Sequence, residues 1–135
     1  MAKVERTSFS VSPALLNRFD GIIEKMGYED RSRALQNAMA NFITEYTWRI
    51  EKGKAGVGAI LFTYSHRPHG LQEALVDVQH RYRDVVNSTT HIHLDESRCL
   101  EIVSVRGQTT RIQELAKRLV KTRGVTQLKL SVVDV

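Results

Sequence analysis

The sequence predicts an α+β chain in two parts, a strand–helix–helix segment over residues 1–52 and a βαββαβ unit over residues 53–135. Three observations carry this. One alternating pentapeptide is followed by two stripes of apolar residues at helical spacing. A stretch of glycine and charge, Glu51-Lys52-Gly53-Lys54-Ala55-Gly56, has the composition of a linker. Beyond it, short β-rich runs alternate with helical stripes.

In the first part, Thr7-Ser8-Phe9-Ser10-Val11 puts Phe9 and Val11 on one face of a strand and Arg6, Ser8 and Ser10 on the other. Ser12-Pro13 is an N-cap followed by proline at the first helical position. Leu15, Leu16, Phe19, Ile22, Ile23 and Met26 then form one apolar stripe, which Gly27 ends. After the turn Tyr28-Glu29-Asp30-Arg31, Ser32 is the expected cap of a second helix marked by Leu35, Met39, Phe42, Ile43, Tyr46 and Ile50. One strand and two helices of this length cannot enclose a core, so a second copy is expected to complete it. Two strands paired antiparallel would leave their polar sides on a ribbon of the size that enters the major groove of DNA.

In the second part, Ala59 to Tyr64 is a strand, Arg67-Pro68-His69-Gly70 a loop, and Leu71, Ala74, Leu75, Val78 and Tyr82 a helical stripe. Thr89 to Leu94 and Arg98 to Val105 make a hairpin around Asp95-Glu96-Ser97. Ile112, Leu115, Ala116, Leu119 and Val120 mark a helix ended by Gly124, and Val125 to Val133 a final strand. This order suggests a ferredoxin-like sandwich.

Composition narrows the function classes. The net charge of +5 over 135 residues is compatible with nucleic acid. It is unevenly placed, with 7 basic against 6 acidic residues in positions 1–50. A claim of DNA binding therefore rests on architecture. No run of about 18 apolar residues predicts a membrane span. The N-terminus lacks the apolar core of a signal peptide, and the single cysteine, Cys99, cannot form an internal disulfide. The expected location is the cytoplasm.

The chemistry is concentrated in His91-Ile92-His93-Leu94-Asp95-Glu96-Ser97-Arg98-Cys99-Leu100-Glu101. If the turn is Asp95-Glu96-Ser97, His93 faces Cys99 and His91 faces Glu101 on one side of the hairpin. Alone, Cys99 reads as a small buried hydrophobe and the two histidines as a solvated face. Together they put two imidazoles, a sulfur and a carboxylate at one place, a metal site by geometry. Three such ligands leave room for a fourth, and His80, beside Gln79, is the obvious donor. A ligand for the open face of such a sheet comes more naturally from another subunit. One thiolate among nitrogen donors suits zinc, nickel or copper.

With these residues in view, the chain resembles the NikR family of nickel-responsive repressors over nearly its whole length. The resemblance rests on Arg6 to Val11, Gly27-Tyr28 with Arg31-Ser32, Gln79-His80, His91-Ile92-His93 and Cys99-Leu100-Glu101. It implies an N-terminal ribbon-helix-helix domain and a C-terminal ferredoxin-like, ACT-like domain. It also implies a homotetramer, a dimer of dimers, binding one Ni(II) per subunit through His91, His93 and Cys99 with His80 of a neighbouring chain, in square-planar geometry. Gln79, Glu101, Tyr64 and His66 sit where the family has residues that surround the ligands. Arg6, Ser8 and Ser10 would read a palindromic double-stranded operator, while Arg31 and Ser32 at the second helix would hold phosphate. Where family members carry two carboxylates for a second cation, this chain has Arg33 and Asn37, and Arg33 is expected to supply that charge itself.

The resemblance implies a repressor and not an enzyme, since four protein ligands leave no open position on the metal. The competing reading is a regulator whose ferredoxin-like domain senses another metal or a small molecule such as an amino acid. Nickel–thiolate absorption coupled to DNA binding would separate the two.

Overall fold

The computed structural model describes residues 3–47 and 54–134. The chain divides into two compact units, Met1–Thr47 and Trp48–Val135. The expected domain boundary after residue 52, the linker residues 51–53 and Ile50 of the second stripe all lie outside the described residues.

The first unit holds α1 (Pro13–Lys25) and α2 (Arg31–Thr47). Ser12 caps α1 as its position predicts, accepting from the Leu15 amide at 3.2 Å, with proline in the first turn. Gly27 takes φ +85, the left-handed turn that closes a helix and that side chains with a Cβ resist. The cap of α2 is Asp30 and not Ser32: its Oδ1 accepts from the Arg33 amide at 2.9 Å, and Ser32 falls inside the first turn. Both residue types can cap, and the chain enters the helix two residues earlier than the apolar stripe suggests. Residues 3–12 form no strand within one chain. A ladder needs a second strand, and the described residues of this unit contain no other.

The second unit is a four-stranded antiparallel sheet in the order β2-β3-β1-β4, built from β1 (Ala55–Ser65), β2 (Val86–His93), β3 (Arg98–Gln108) and β4 (Val125–Asp134). Helices α3 (Leu71–Arg81) and α4 (Thr109–Lys121) connect them, giving the βαββαβ order. Ile60 and Phe62 of β1, Val103 and Val105 of β3, and Leu130 and Val132 of β4 bury their side chains beneath Leu71 and Leu75 of α3 and Ile112, Leu115 and Leu119 of α4. Both helices thus cover one face of the sheet.

β1 begins earlier than its aliphatic run, absorbing two residues that read as linker. A Cβ on Gly58 would run into the Ser131 carbonyl, and one on Gly56 into Val132, so these glycines permit close approach of β4. Between Thr63 and Tyr64 the β1–β4 register slips. Thr63 pairs with Gln127 but Tyr64 pairs with Val125, leaving Thr126 as a bulge.

Candidate metal centre

The site begins with the turn between β2 and β3. The Asp95 carboxylate accepts from the amides of Ser97 at 3.0 Å and Arg98 at 2.8 Å, and from Arg98 Nε at 2.8 Å. The Arg98 hydrogen bonds hold the Asp95 carboxyl down at about 2, so it stays ionised and keeps the turn closed. A turn pinned this way sets the ladder: His93 pairs with Cys99 and His91 with Glu101. On the other side of β3, Tyr64 pairs with Cys99 and Phe62 with Glu101.

All of these side chains share a face, and it is the face the helices cover. The expectation of a site on the open face is corrected here. Cys99 and Glu101 continue the buried alternation of Val103 and Val105, so the apolar pattern of β3 carries them inward. The site still opens to the outside because β2 is an edge strand, and His91 and His93 are exposed.

Around the Cys99 sulfur lie three imidazole nitrogens: His66 Nε2 at 2.7 Å, His91 Nε2 at 3.1 Å and His93 Nδ1 at 3.4 Å. His66 arrives from just past β1, where its amide donates to the Ser97 carbonyl at 2.8 Å. Its Nδ1 lies 3.3 Å from Gln72 Nε2, an amide nitrogen that can only donate. His91 Nδ1 lies 3.1 Å from the Tyr64 hydroxyl. The ligand atoms of His66, His93 and Cys99 all fall within 4.8 Å of one another.

Glu101 is 7% exposed and accepts from Gln79 Nε2 at 2.6 Å, while Gln79 Oε1 accepts from the Thr89 hydroxyl at 2.9 Å. This chain of bonds ties the last turn of α3 to β2 and β3. His80, next along α3, is exposed and is not part of the cluster in its own chain.

Burial raises the Cys99 thiol above its ordinary pKa, against a lowering by the Tyr64 hydrogen bond, and the charges of Glu101 and Asp95 raise it further. Burial first, then Glu101 and Cys99, pushes Tyr64 up to about 12. A protonated sulfur beside a buried carboxylate is an environment that a divalent cation would reverse, because a coordinating cation deprotonates a thiol. Three nitrogens and one soft sulfur fit a borderline transition-metal ion better than magnesium or calcium, which take oxygen.

Sequence reasoning placed His66 only near the ligands. Its reach to the sulfur depends on β1 lying beside β3, a non-local pairing that no local spacing reveals. In the first unit, Arg6, Ser8 and Ser10 are exposed on the extended residues before α1. Arg31 is engaged in a bidentate pair with Asp20, Nε to Oδ1 and Nη2 to Oδ2, each at 2.8 Å. Asn37 donates to the Tyr28 hydroxyl at 2.8 Å. Among the described residues, no helix is long and apolar enough to cross a membrane.

Comparison with known proteins bears on the same region. Residues 57–133 match the profile of the NikR C-terminal nickel-binding domain. A relative from Dictyoglomus thermophilum is 39% identical over all of this chain and 99% of its own length. One from Methanothrix thermoacetophila is 38% identical over 96% of this chain and 93% of its own. A third, from Thermococcus onnurineus, is 40% identical over 95% and 92%. Each bears the provisional name nickel-responsive regulator. Among solved structures, the ACT domain of a Chlorobium tepidum GTP pyrophosphokinase aligns with 56% of this chain and 96% of its own, at TM-score 0.49 and 13% identity. That likeness is too slight to bear on ligand or partner.

Proposed function

The chain belongs to the NikR family, and from that premise we propose that it is a nickel-responsive, DNA-binding transcriptional repressor working as a homotetramer, a dimer of dimers. His91, His93 and Cys99 would hold one Ni(II) per subunit together with His80 of a neighbouring subunit. The observation that carries this reading is the convergence of imidazoles on the Cys99 sulfur at the exposed edge of the sheet. His80 is exposed and stays clear of that cluster in its own chain, as a donor meant for another subunit would be.

When bound, nickel supplies the charge that keeps the Cys99 sulfur deprotonated. The protein's own groups do the positioning. Asp95 and Arg98 fix the hairpin register, and Gln79, Glu101 and Thr89 tie α3 to the strands that carry the ligands. Because Gln79 adjoins His80, the same chain of bonds sets where His80 is presented. Ligation across subunits favours whichever assembly can satisfy it, so metal binding and operator binding become linked through one equilibrium.

In the first unit, Arg6, Ser8 and Ser10 would read a palindromic operator from a two-stranded ribbon formed by two copies of residues 6–11. The exposed apolar residues of that unit support such pairing. Ser32, in the first turn of α2, would meet a phosphate. Arg31 would have to exchange Asp20 for one. Arg33 would serve in place of the second cation held elsewhere in the family, and DNA affinity independent of potassium at fixed ionic strength is the expected result.

The deciding test is selection from a random duplex pool with the full-length protein, with Ni(II) or with chelator, in parallel with absorption titration. Enrichment of a palindrome and thiolate-to-nickel absorption should appear together and disappear together in Cys99→Ser. Nickel-independent enrichment, or an unchanged titration in that variant, overturns the proposal.

A further inference from the structure

We propose that Arg111 is a positioning residue for His80: reaching across from α4, its guanidinium fixes the last turn of α3 in the form that presents His80 to another subunit. The inference rests on the function proposed above. It adds a group that touches neither the metal nor any of its donors.

The last turn of a helix leaves carbonyls without partners inside the helix. In α3 the Gln79 carbonyl accepts from the Tyr82 amide at 3.1 Å, and the His80 carbonyl from the Arg83 amide at 3.4 Å. The second of these is long for such a bond. The Arg81 carbonyl accepts from outside the helix, from Arg111 Nη2 at 3.0 Å. A cation at this end of a helix is also favoured by the helix dipole.

Arg111, in the first turn of α4, is itself held on several sides. Its Nε donates to Asp84 Oδ2 at 3.1 Å and its Nη1 to Glu114 Oε2 at 3.0 Å, while Nη2 lies 3.4 Å from Asp84 Oδ1. Its Cζ sits 4.1 Å from the centre of the Tyr82 ring, and Tyr82 is buried. All three nitrogens and one face of the guanidinium are therefore in use. A lysine ammonium has no planar fork with which to repeat this.

His80 is exposed, so the backbone that carries it sets where it points. Gln79, on one side of it, is tied to β2 and β3 through Thr89 and Glu101. Arg81, on the other side, is tied to α4 through Arg111. Gripped on both sides, the donor is ordered before any metal arrives. Without Arg111 that ordering falls on the binding step and is subtracted from affinity.

The experiment uses full-length protein as wild type, Arg111→Met, Arg111→Lys, His80→Gln and the Arg111→Met/His80→Gln double variant. Without metal, the Tyr82 and Arg83 amides should exchange hydrogen faster in Arg111→Met, while those of Ile60 and Val103 keep their protection. Nickel affinity, measured by chelator competition, should fall about tenfold in Arg111→Met, within the range for residues that share one hydrogen-bond network. Arg111→Lys keeps the charge and the stem over Tyr82, so it tests the fork in a chain that still folds; it should recover only part of the loss. In the His80→Gln background, Arg111→Met should cost nothing further. Unchanged exchange at Tyr82 and Arg83, full recovery in Arg111→Lys, or a loss in the double variant equal to the sum of the two single losses overturns the inference. If His80→Gln leaves nickel affinity as in wild type, the reading under Proposed function fails and takes this one with it. If His80→Gln weakens nickel binding but Arg111→Met does not, this inference alone fails.

Discussion

The two units of this chain solve the problem of burial in opposite ways. In residues 54–134 the alternation of β1, β3 and β4 finds helices above it, and Ile60, Val103, Ile112, Leu115 and Leu119 are all fully buried. In residues 3–47 Ala34 is the one buried residue among those described, while Phe9, Leu15, Ile22, Met26 and Met39 each expose more than half their surface. Both units have apolar stripes of the right period. The difference is that one contains its own opposing surface and the other does not. A stripe without an opposite face in its own unit leaves that surface open to a partner.

The largest effect should come from cutting into the self-contained core. Leu115→Ala is expected to cost about 2–5 kcal/mol, read as a fall in the urea midpoint that does not vary with protein concentration. A midpoint that moves with concentration would mean this unit also depends on another chain. Nickel at roughly 100 times its dissociation constant should stabilise the protein by about 2.7 kcal/mol, and Cys99→Ser should lose that gain in a thermal melt.

Ile22→Asp probes the other unit. If a second copy covers α1, the substitution removes about 1.5–3 kcal/mol per copy, visible as dissociation at micromolar concentration in sedimentation. If that face stays in water, stability moves by no more than about 0.5 kcal/mol, and the proposed pairing is wrong.

The smallest effects concern ion pairs. The Arg31 hydrogen bonds hold the Asp20 carboxyl, and the Arg111 hydrogen bond holds the Asp84 carboxyl, below the ordinary 3.8. A depressed carboxylate contributes stability above its unfolded pKa and loses it as pH falls through the lower folded value. The difference between wild type and Asp20→Asn, or Asp84→Asn, should therefore be constant at neutral pH and shrink below about 3.8. Asp20→Asn also frees Arg31, so its DNA affinity should rise slightly at low salt; no change would remove Arg31 from phosphate contact.

Much of the second unit was legible because its signals are local. The pairing of His93 with Cys99 followed from a turn of three residues and a period of two. The face was not legible, because only the packing of α3 and α4 decides which side of the sheet is covered. His66 was missed as a neighbour of the sulfur for a similar reason: its position depends on β1 pairing with β3 and on a backbone bond to Ser97. Residues 7–11 have the pattern of a strand, but pattern supplies only half a ladder. The early start of β1 was hidden because glycine reads as flexibility until a neighbouring strand shows what a Cβ would strike.

The bulge at Thr126 has a further consequence. Without it, strict alternation would set the hydroxyl of Thr126 beside Tyr64; with it, the aliphatic Val125 stands there and Thr126 turns instead to bond Thr63 at 2.9 Å. One surplus residue thus inverts the parity of β4 at its first step. The ring that leans on His91 therefore meets an aliphatic neighbour on its β4 side, and the opposite edge of the sheet helps keep water from it.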